Sequence, residues 1–254
     1  MTEIERVLHL FKPISLEEMS AVKLMNRVDT KYMISLSQLG DILNQLQAHY
    51  YVQQVCDECI IPYSTLYYDT EDVQMYIAHH NRKLCRQKLR SRIYGLTENV
   101  FCEVKRKNNH GRTKKKRIAI KKEEWENMLQ QPYIVEFVQQ YLPYSISLLQ
   151  PQVQTDFNRI TLVNYSKTER LTIDKDVNFY NHVTGMHADA GNLVIMELKQ
   201  DARKQSMVKQ VLFDMRIKPH KISKYCLGTV LTRPQVKANR FKKKIRFIEE
   251  LNSI

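Results

Sequence analysis

A chain of 254 residues, 43% hydrophobic and 26% charged, is ordinary for a globular protein. That balance excludes an unfolded polymer and allows a real core in one large domain or two small ones. Forty basic residues against 27 acidic ones give a formal charge of +13, which favours a polyanionic partner: nucleic acid, an anionic membrane or a phosphate-rich small molecule.

Residues 3–11 predict a short amphipathic helix and 28–35 a strand. Ser37–Leu46 predicts a second helix, with Leu39, Ile42, Leu43 and Leu46 on one face. Strands are expected at 63–69, 85–94, 99–107 and 113–120, with hairpin connections at Gly95–Asn99 and Asn108–Gly111. Helices at 122–130 and 133–142 are separated by Pro132. Strands follow at 155–164, 169–174 and 193–199. A helix from Arg203 to Ile217 carries the stripe Met207, Val208, Val211, Leu212 and Met215, and Pro219 ends it. Ser223 caps a helix over Lys224–Thr232. About eight strands with hairpin links make an α+β fold: an eight-stranded antiparallel β barrel with surrounding helices over 1–232, followed by a basic helical tail over 233–254.

No run approaches the ~18 apolar residues of a membrane span. The opening MTEIERVLHLF has neither the basic nor the apolar part of a signal peptide. Of the five cysteines only Cys56 and Cys59 have metal or redox spacing, and the set reads as reduced thiols. A soluble, cytoplasmic protein is expected. His79, His80 and His110 read as surface-loop residues.

The strands share a charge pattern. In KLRSRIYG, Lys88, Arg90 and Arg92 alternate with Leu89 and Ile93; in FCEVKRK, Glu103, Lys105 and Lys107 alternate with Cys102 and Val104. Successive strand side chains point to opposite faces, so charge gathers on one face and apolar groups on the other. Arg27, Asp29 and Lys31 repeat the pattern, as do Arg170, Thr172 and Asp174, and Glu197 with Lys199. Arg159 lies with Phe157 and Thr161, and Ile118 and Ile120 place Lys115 and Arg117 on the charged side. Each strand alone reads better as a solvated face of a half-buried sheet; the repetition changes the weighing. Together, in a closed barrel with apolar groups outside, they place the cations inside. Such an interior needs a multiply charged anion, because desolvation costs several kcal/mol per ion. The interspersed carboxylates point to a hard divalent cation, and so to a metal-chelated chain of phosphates.

Six stretches in order, RVDTKY (27–32), STLYYDT (64–70), KLRSRIYG (88–95), FCEVKRK (101–107), ERLTIDKDV (169–177) and VIMELK with HKISKYCLG (194–228), resemble the VTC domain, the polyphosphate polymerase domain of the triphosphate tunnel metalloenzyme (CYTH-like) superfamily. The resemblance implies a tunnel and a synthase that moves the γ-phosphate of ATP onto a growing polyphosphate chain with Mn2+ or Mg2+. It points to Lys31, Arg90, Arg92, Lys105, Lys115, Arg159 and Arg170 as phosphate contacts, and to Glu197 as the principal metal ligand. Lys221 and Lys224 match the lysines of its Ser-Lys-Tyr element. Asp29 stands where the family has Glu, and the Glu-x-Glu-x-Lys signature of other branches is missing.

With six glycines and no Walker-type loop, fixed side-chain charge replaces a helix-terminus phosphate cradle. Arg90, Arg92, Lys105 and Lys115 are expected to hold the ATP triphosphate. Glu197, with Glu103 or Asp174, holds the metal, and Lys221 and Lys224 steer the acceptor. Glu103 also reads as a structural ion pair with a neighbouring lysine, and Lys221 and Lys224 as a solvated helix face. The alternatives are a triphosphatase on the same fold and a non-catalytic binder of polyphosphate or nucleic acid. No signature of sequence-specific nucleic-acid reading appears. The tail, with Lys242, Lys243, Lys244 and Arg246, is a candidate dock for a membrane or partner protein.

Overall fold

The computed structural model describes residues 1–20, 27–201 and 204–253. The expected helix start at Arg203 and the side chain of Arg27 lie outside the described residues. In chain order the elements are α1 (Glu3–Leu8), β1 (Lys12–Ser15), α2 (Leu16–Ser20), β2 (Arg27–Ser35), α3 (Leu36–Leu46), β3 (Tyr50–Gln54), β4 (Ile61–Asp69), α4 (Gln74–His80), β5 (Arg86–Tyr94), β6 (Asn99–Lys107) and β7 (Thr113–Ile120). There follow α5 (Pro132–Tyr141), β8 (Gln150–Asn164), β9 (Glu169–Asn181), β10 (His187–Asp189), β11 (Leu193–Asp201), α6 (Met207–Asp214), α7 (Lys224–Thr232) and α8 (Lys242–Asn252).

Eight strands form one antiparallel path, β2-β11-β9-β8-β4-β5-β6-β7, with β3 and β1 added beside β8 and β10 beside β9. The path is not zipped shut: β2 and β7 are its two ends. It is nevertheless curled. The charge of Glu197 on β11 acts on Lys105 on β6 although four strands lie between them. Laid flat, the two positions would stand roughly 24 Å apart at ~4.8 Å per strand, well beyond the ~8–10 Å screening length of salt water.

The outer face is apolar and covered. Leu39, Ile42, Leu43 and Leu46 of α3, with Val208, Val211 and Leu212 of α6, pack on Ile34, Leu171, Ile173, Met196 and Leu198. Ile134 and Val138 of α5, with Trp125 and Met128, pack on Leu66, Leu89, Cys102, Val104 and Ile120. Each such side chain contributes about 1.5–3 kcal/mol by leaving water. A reciprocal capping box between Ser35 and Gln38 turns β2 directly into α3.

A third apolar cluster lies on the inner face, at one end. There α7 enters the barrel: Tyr225 stacks on Tyr67, and Gly228 lies against Val153 and Phe179. Phe241, Ile248 and Leu251 of the tail bury themselves in this cluster, so the tail packs on the body of the protein.

The strands fall where alternation places them, but β8 starts five residues early and β9 runs seven residues further. A register shift between Asp156 and Asn158, opposite Asp176 with φ 53°, breaks the two-residue period that marked their ends. The expected 122–130 helix is two 3₁₀ turns. Helix α6 is shorter than expected, ending at Met215 before Arg216 with φ 58°. Helix α4 was not anticipated, because its cap comes from elsewhere. Asp69, at the end of β4, accepts from the N–H groups of Met75 and Tyr76 at 2.9 Å each.

A Cβ on Gly228 would stand 2.5 Å from Phe179 and 2.8 Å from Val153. Gly228→Ala is therefore expected to destabilise the fold by about 1–3 kcal/mol through overpacking, despite its gain in helix propensity. Urea unfolding checks it; unchanged or raised stability would show that α7 is not wedged in the barrel.

Candidate functional site

Register fixes which side chains share the inner face. Directly opposed pairs run Lys31–Glu197, Glu197–Thr172, Arg159–Asp174, Thr65–Arg92, Tyr67–Arg90, Lys88–Lys105, Arg90–Glu103 and Lys105–Lys115. Directly opposed residues point to the same side of a sheet. One curved surface thus gathers charged and polar residues from all eight strands of the path, beside the inner apolar cluster at one end.

Three carboxylates organise this surface, each held between two cations. Glu103, fully buried, accepts from Arg90 Nε at 2.7 Å and from Lys115 Nζ at 2.8 Å. Asp174, 3% exposed, takes a two-pronged contact from Arg159 at 2.5 and 2.8 Å and pairs with Lys224. Glu197 lies between Lys31, at 3.4 Å, and Lys199. Burial alone would raise all three carboxyls, but the neighbouring cations outweigh it and hold each well below the usual carboxylate range.

The cations outnumber these partners. Among the described residues, Lys88, Arg92 and Lys105 have no carboxylate within ion-pair distance. Arg92 donates to Thr65 Oγ1 at 2.9 Å and Lys88 to Ser223 Oγ at 2.7 Å. The charge of Arg90, with burial added, holds the Lys105 amine well below its ordinary value. Burial lowers the Lys224 amine to about 8, although Asp174 opposes the shift. Burial would raise the Tyr67 phenol, yet Arg90, Arg92 and Lys88 bring it down to about 8. Aromatic rings shoulder the cations: Arg159 lies 4.8 Å from Tyr63, Lys224 4.3 Å from Phe157 and Arg117 4.4 Å from Phe101.

The structure brings Lys31, Arg90, Arg92, Lys105, Lys115, Arg159, Glu103, Asp174 and Glu197 onto this surface, with Arg170 on the same face opposite Lys199. Lys224 joins them, but Lys221 is exposed before the helix begins, on the segment that runs from α6 past β2 to α7. That segment is anchored by the His220 N–H, which donates to the Lys31 carbonyl at 2.7 Å. Tyr67, Thr65, Lys88, Lys199 and Tyr63 belong to the surface and were missed as site residues. Their parity with Arg90, Arg92 and Glu197 was the available signal. His79 is not a loop residue: it sits on α4, where burial and the charges of Lys88, Arg86, Lys31 and Lys107 depress its basicity.

Among the described residues no group of three His, Cys, Asp or Glu side chains gathers as a ready metal cage. The donor chemistry fits a cation held by one carboxylate and by phosphate oxygens. Glu197 is ionised, and its side chain is 25% exposed and held by flexible lysines. Glu103 and Asp174 are clamped by guanidinium groups in buried pairs.

The family model of the VTC domain matches residues 26–232. A candidate adenylate cyclase from Bacillus halodurans has the same fold, with 14% identity, a TM-score of 0.52 and coverage of 86% of this chain and 100% of its own. So does HpAC1 from Hippeastrum, a candidate adenylyl cyclase whose structure is said to reveal a dominant triphosphatase activity. It is 13% identical, with a TM-score of 0.51, covering 81% of this chain and 96% of its own. No curated protein matches the sequence. No helix among the described residues is long and apolar enough to cross a membrane.

Two outcomes follow from the charge pairing. Glu103→Gln leaves Arg90 and Lys115 without their anion and is expected to cost about 3–5 kcal/mol of stability, read by urea unfolding. Because the folded Glu103 carboxyl is depressed, its contribution is present above the unfolded value of about 4.5 and is lost as pH falls below it. Tripolyphosphate affinity is expected to decline as pH rises through about 8. Lys224 then loses its charge and Tyr67 gains a negative one. Titration calorimetry between neutral and alkaline pH checks this; a flat profile would contradict it, and Tyr67→Phe should shallow the decline.

Proposed function

This chain belongs to the VTC domain family, within the triphosphate tunnel (CYTH-like) superfamily, and from that premise we propose that it is a polyphosphate polymerase. It would transfer the γ-phosphate of ATP to the end of a polyphosphate chain. The observation that carries the reading is the surplus of cations around an enclosed surface whose carboxylates are already taken.

Arg90 and Arg92 would grip phosphate oxygens with their planar forks, and Lys105 and Lys115 would add point charges. Phosphoryl transfer asks the protein chiefly for in-line positioning and compensation of charge. An oxygen of the polyphosphate end attacks the γ-phosphorus, a new P–O bond forms, the bond to the β-phosphate oxygen breaks, and ADP departs. The attacking oxygen is already ionised, so no general base is required. That accords with three carboxylates each held between cations. Arg159, Arg170 and Lys31 extend the cationic wall, and Lys224 would steer the incoming acceptor end. An incoming phosphate would offset the repulsion between Arg90 and Lys105 that depresses the Lys105 amine. Glu197 would hold a divalent metal, Mn2+ or Mg2+, which when bound neutralises charge on the phosphate oxygens.

The runner-up is a triphosphatase, favoured by the activity named for the Hippeastrum protein. Water, unlike a phosphate end, needs a base to take its proton. The lysines of α8 are the proposed dock for a membrane or partner. Because α8 is packed on the body, charge neutralisation tests that dock better than truncation.

Incubation with ATP and Mn2+ is expected to yield long-chain polyphosphate, visible on gels. Arg90→Ala and Glu197→Ala should each reduce it by at least about a hundredfold, the scale of losing one group that meets transition-state charge. Chelation should abolish it. Orthophosphate as the sole product would establish the triphosphatase reading, and full polymer synthesis by both variants would remove this site.

A further inference from the structure

The sequence from Lys105 to Arg117 holds eight lysines and arginines and no acidic residue; the nearest are Glu103 and Glu123. It forms the end of β6, the tip and most of β7. The register sets Lys105 against Lys115 on the inner face and Arg106 against Lys114 on the outer face. Lys88 extends the inner row to three lysines on three adjacent strands. Like charges directly opposed across a ladder destabilise it. Among the described residues only Lys115 in this hairpin has a carboxylate partner. Arg106, Arg112, Lys114 and Lys116 are exposed. The tip is nonetheless shaped: Asn108 accepts from the Arg112 N–H at 2.9 Å, and Gly111 takes a φ of 78°.

The inner row continues to the tip end of the hairpin, where Arg86 of β5 stands opposite Lys107. Lys107, next to the tip, and Arg86 both act on His79 of α4, together with Lys88 and Lys31 of the inner surface. Cations thus line the inner face up to the tip, and Arg106 and Lys114 carry charge on the outer face beside it.

We propose that the β6–β7 hairpin is an external binding surface for a polyphosphate chain, holding the part of the polymer that lies outside the bore. The identity of the polymer rests on the reading of the bore given above. Chemistry on the hairpin itself favours polyphosphate over nucleic acid. No Phe, Tyr or Trp occurs between Phe101 and Trp125, and Phe101 is covered by Arg117, so His110 is the one ring at the exposed tip for a base to stack on, whereas a bare phosphate chain needs only charge.

The test is the full chain carrying Arg106→Gln, Arg112→Gln and Lys114→Gln, none of them on the inner face. Titrations use long-chain polyphosphate, tripolyphosphate and single-stranded RNA of matched charge. The variant is expected to bind long-chain polyphosphate about tenfold more weakly or worse, with a shallower salt dependence. Its affinity for tripolyphosphate should be unchanged. Its melting temperature should equal or exceed that of the parent, since a repulsive pair is gone, and Lys114→Gln alone should show the same sign. Parent-like affinity for the long chain overturns the proposal, as does an equal loss for tripolyphosphate or a lowered melting temperature. RNA binding as tight as polyphosphate overturns the choice of polymer. Absence of polymer synthesis from ATP, with hairpin-dependent binding intact, sinks the polymerase reading and leaves the binding surface standing.

Discussion

The constraint on which the structure depends is like-charge crowding. Arg90, Arg92, Arg159, Lys88 and Lys105 share an enclosed surface, and mutual repulsion alone would force it open. Three buried or half-buried carboxylates prevent this. Each sits between two cations, and the pairs tie strand to strand or strand to helix, apart from Lys199, which shares β11 with Glu197: Glu103 joins β5 to β7 across β6, Glu197 joins β11 to β2, and Asp174 of β9 joins β8 to α7. The wall is held by the ions that give it its chemistry. Neutralisation is incomplete, and a surplus of positive charge remains on the inner face.

That incompleteness separates this surface from an ordinary structural ion-pair network. A network built for stability pairs its members, whereas here Lys105 is denied its full charge by Arg90, and Lys224 and Tyr67 are poised near neutral pH. Suppressed lysines and an acidified phenol beside surplus cations mark a candidate functional surface. The outer faces tell the same story from the other side. They are apolar, sealed by α3, α5 and α6, and leave the strands no freedom to exchange faces without exposing the core.

Much of this was legible in alternation. A period of two over Lys88–Ile93, Glu103–Lys107 and Arg170–Asp174 carries both the strand assignment and the facing of each charge, because burying Leu89, Val104 and Ile173 fixes the parity of their neighbours. What alternation could not carry is contact between distant positions. The bulge at Asp156–Asn158 ended the period before the strand ended. Asp69 caps α4 from the end of β4 at a spacing of six and seven residues, and Thr70 accepts from Gln74 N–H at 3.0 Å, neither at the usual N-cap spacing that announces a helix. Tyr67 and Thr65 read as ordinary strand residues until Arg90 and Arg92 are set opposite them. The division of the carboxylates is likewise three-dimensional: which is clamped by guanidinium and which by flexible lysines depends on neighbours far off in sequence.

The seam between β2 and β7 has a mechanical consequence. A hydrogen-bonded cylinder has a circumference fixed by its strand count, and widening it means breaking a ladder. Here the two margins are not laced together, and each stays attached to its own inward neighbour, β11 or β6. Widening of the curled sheet between these two margins would leave every backbone ladder of the path whole.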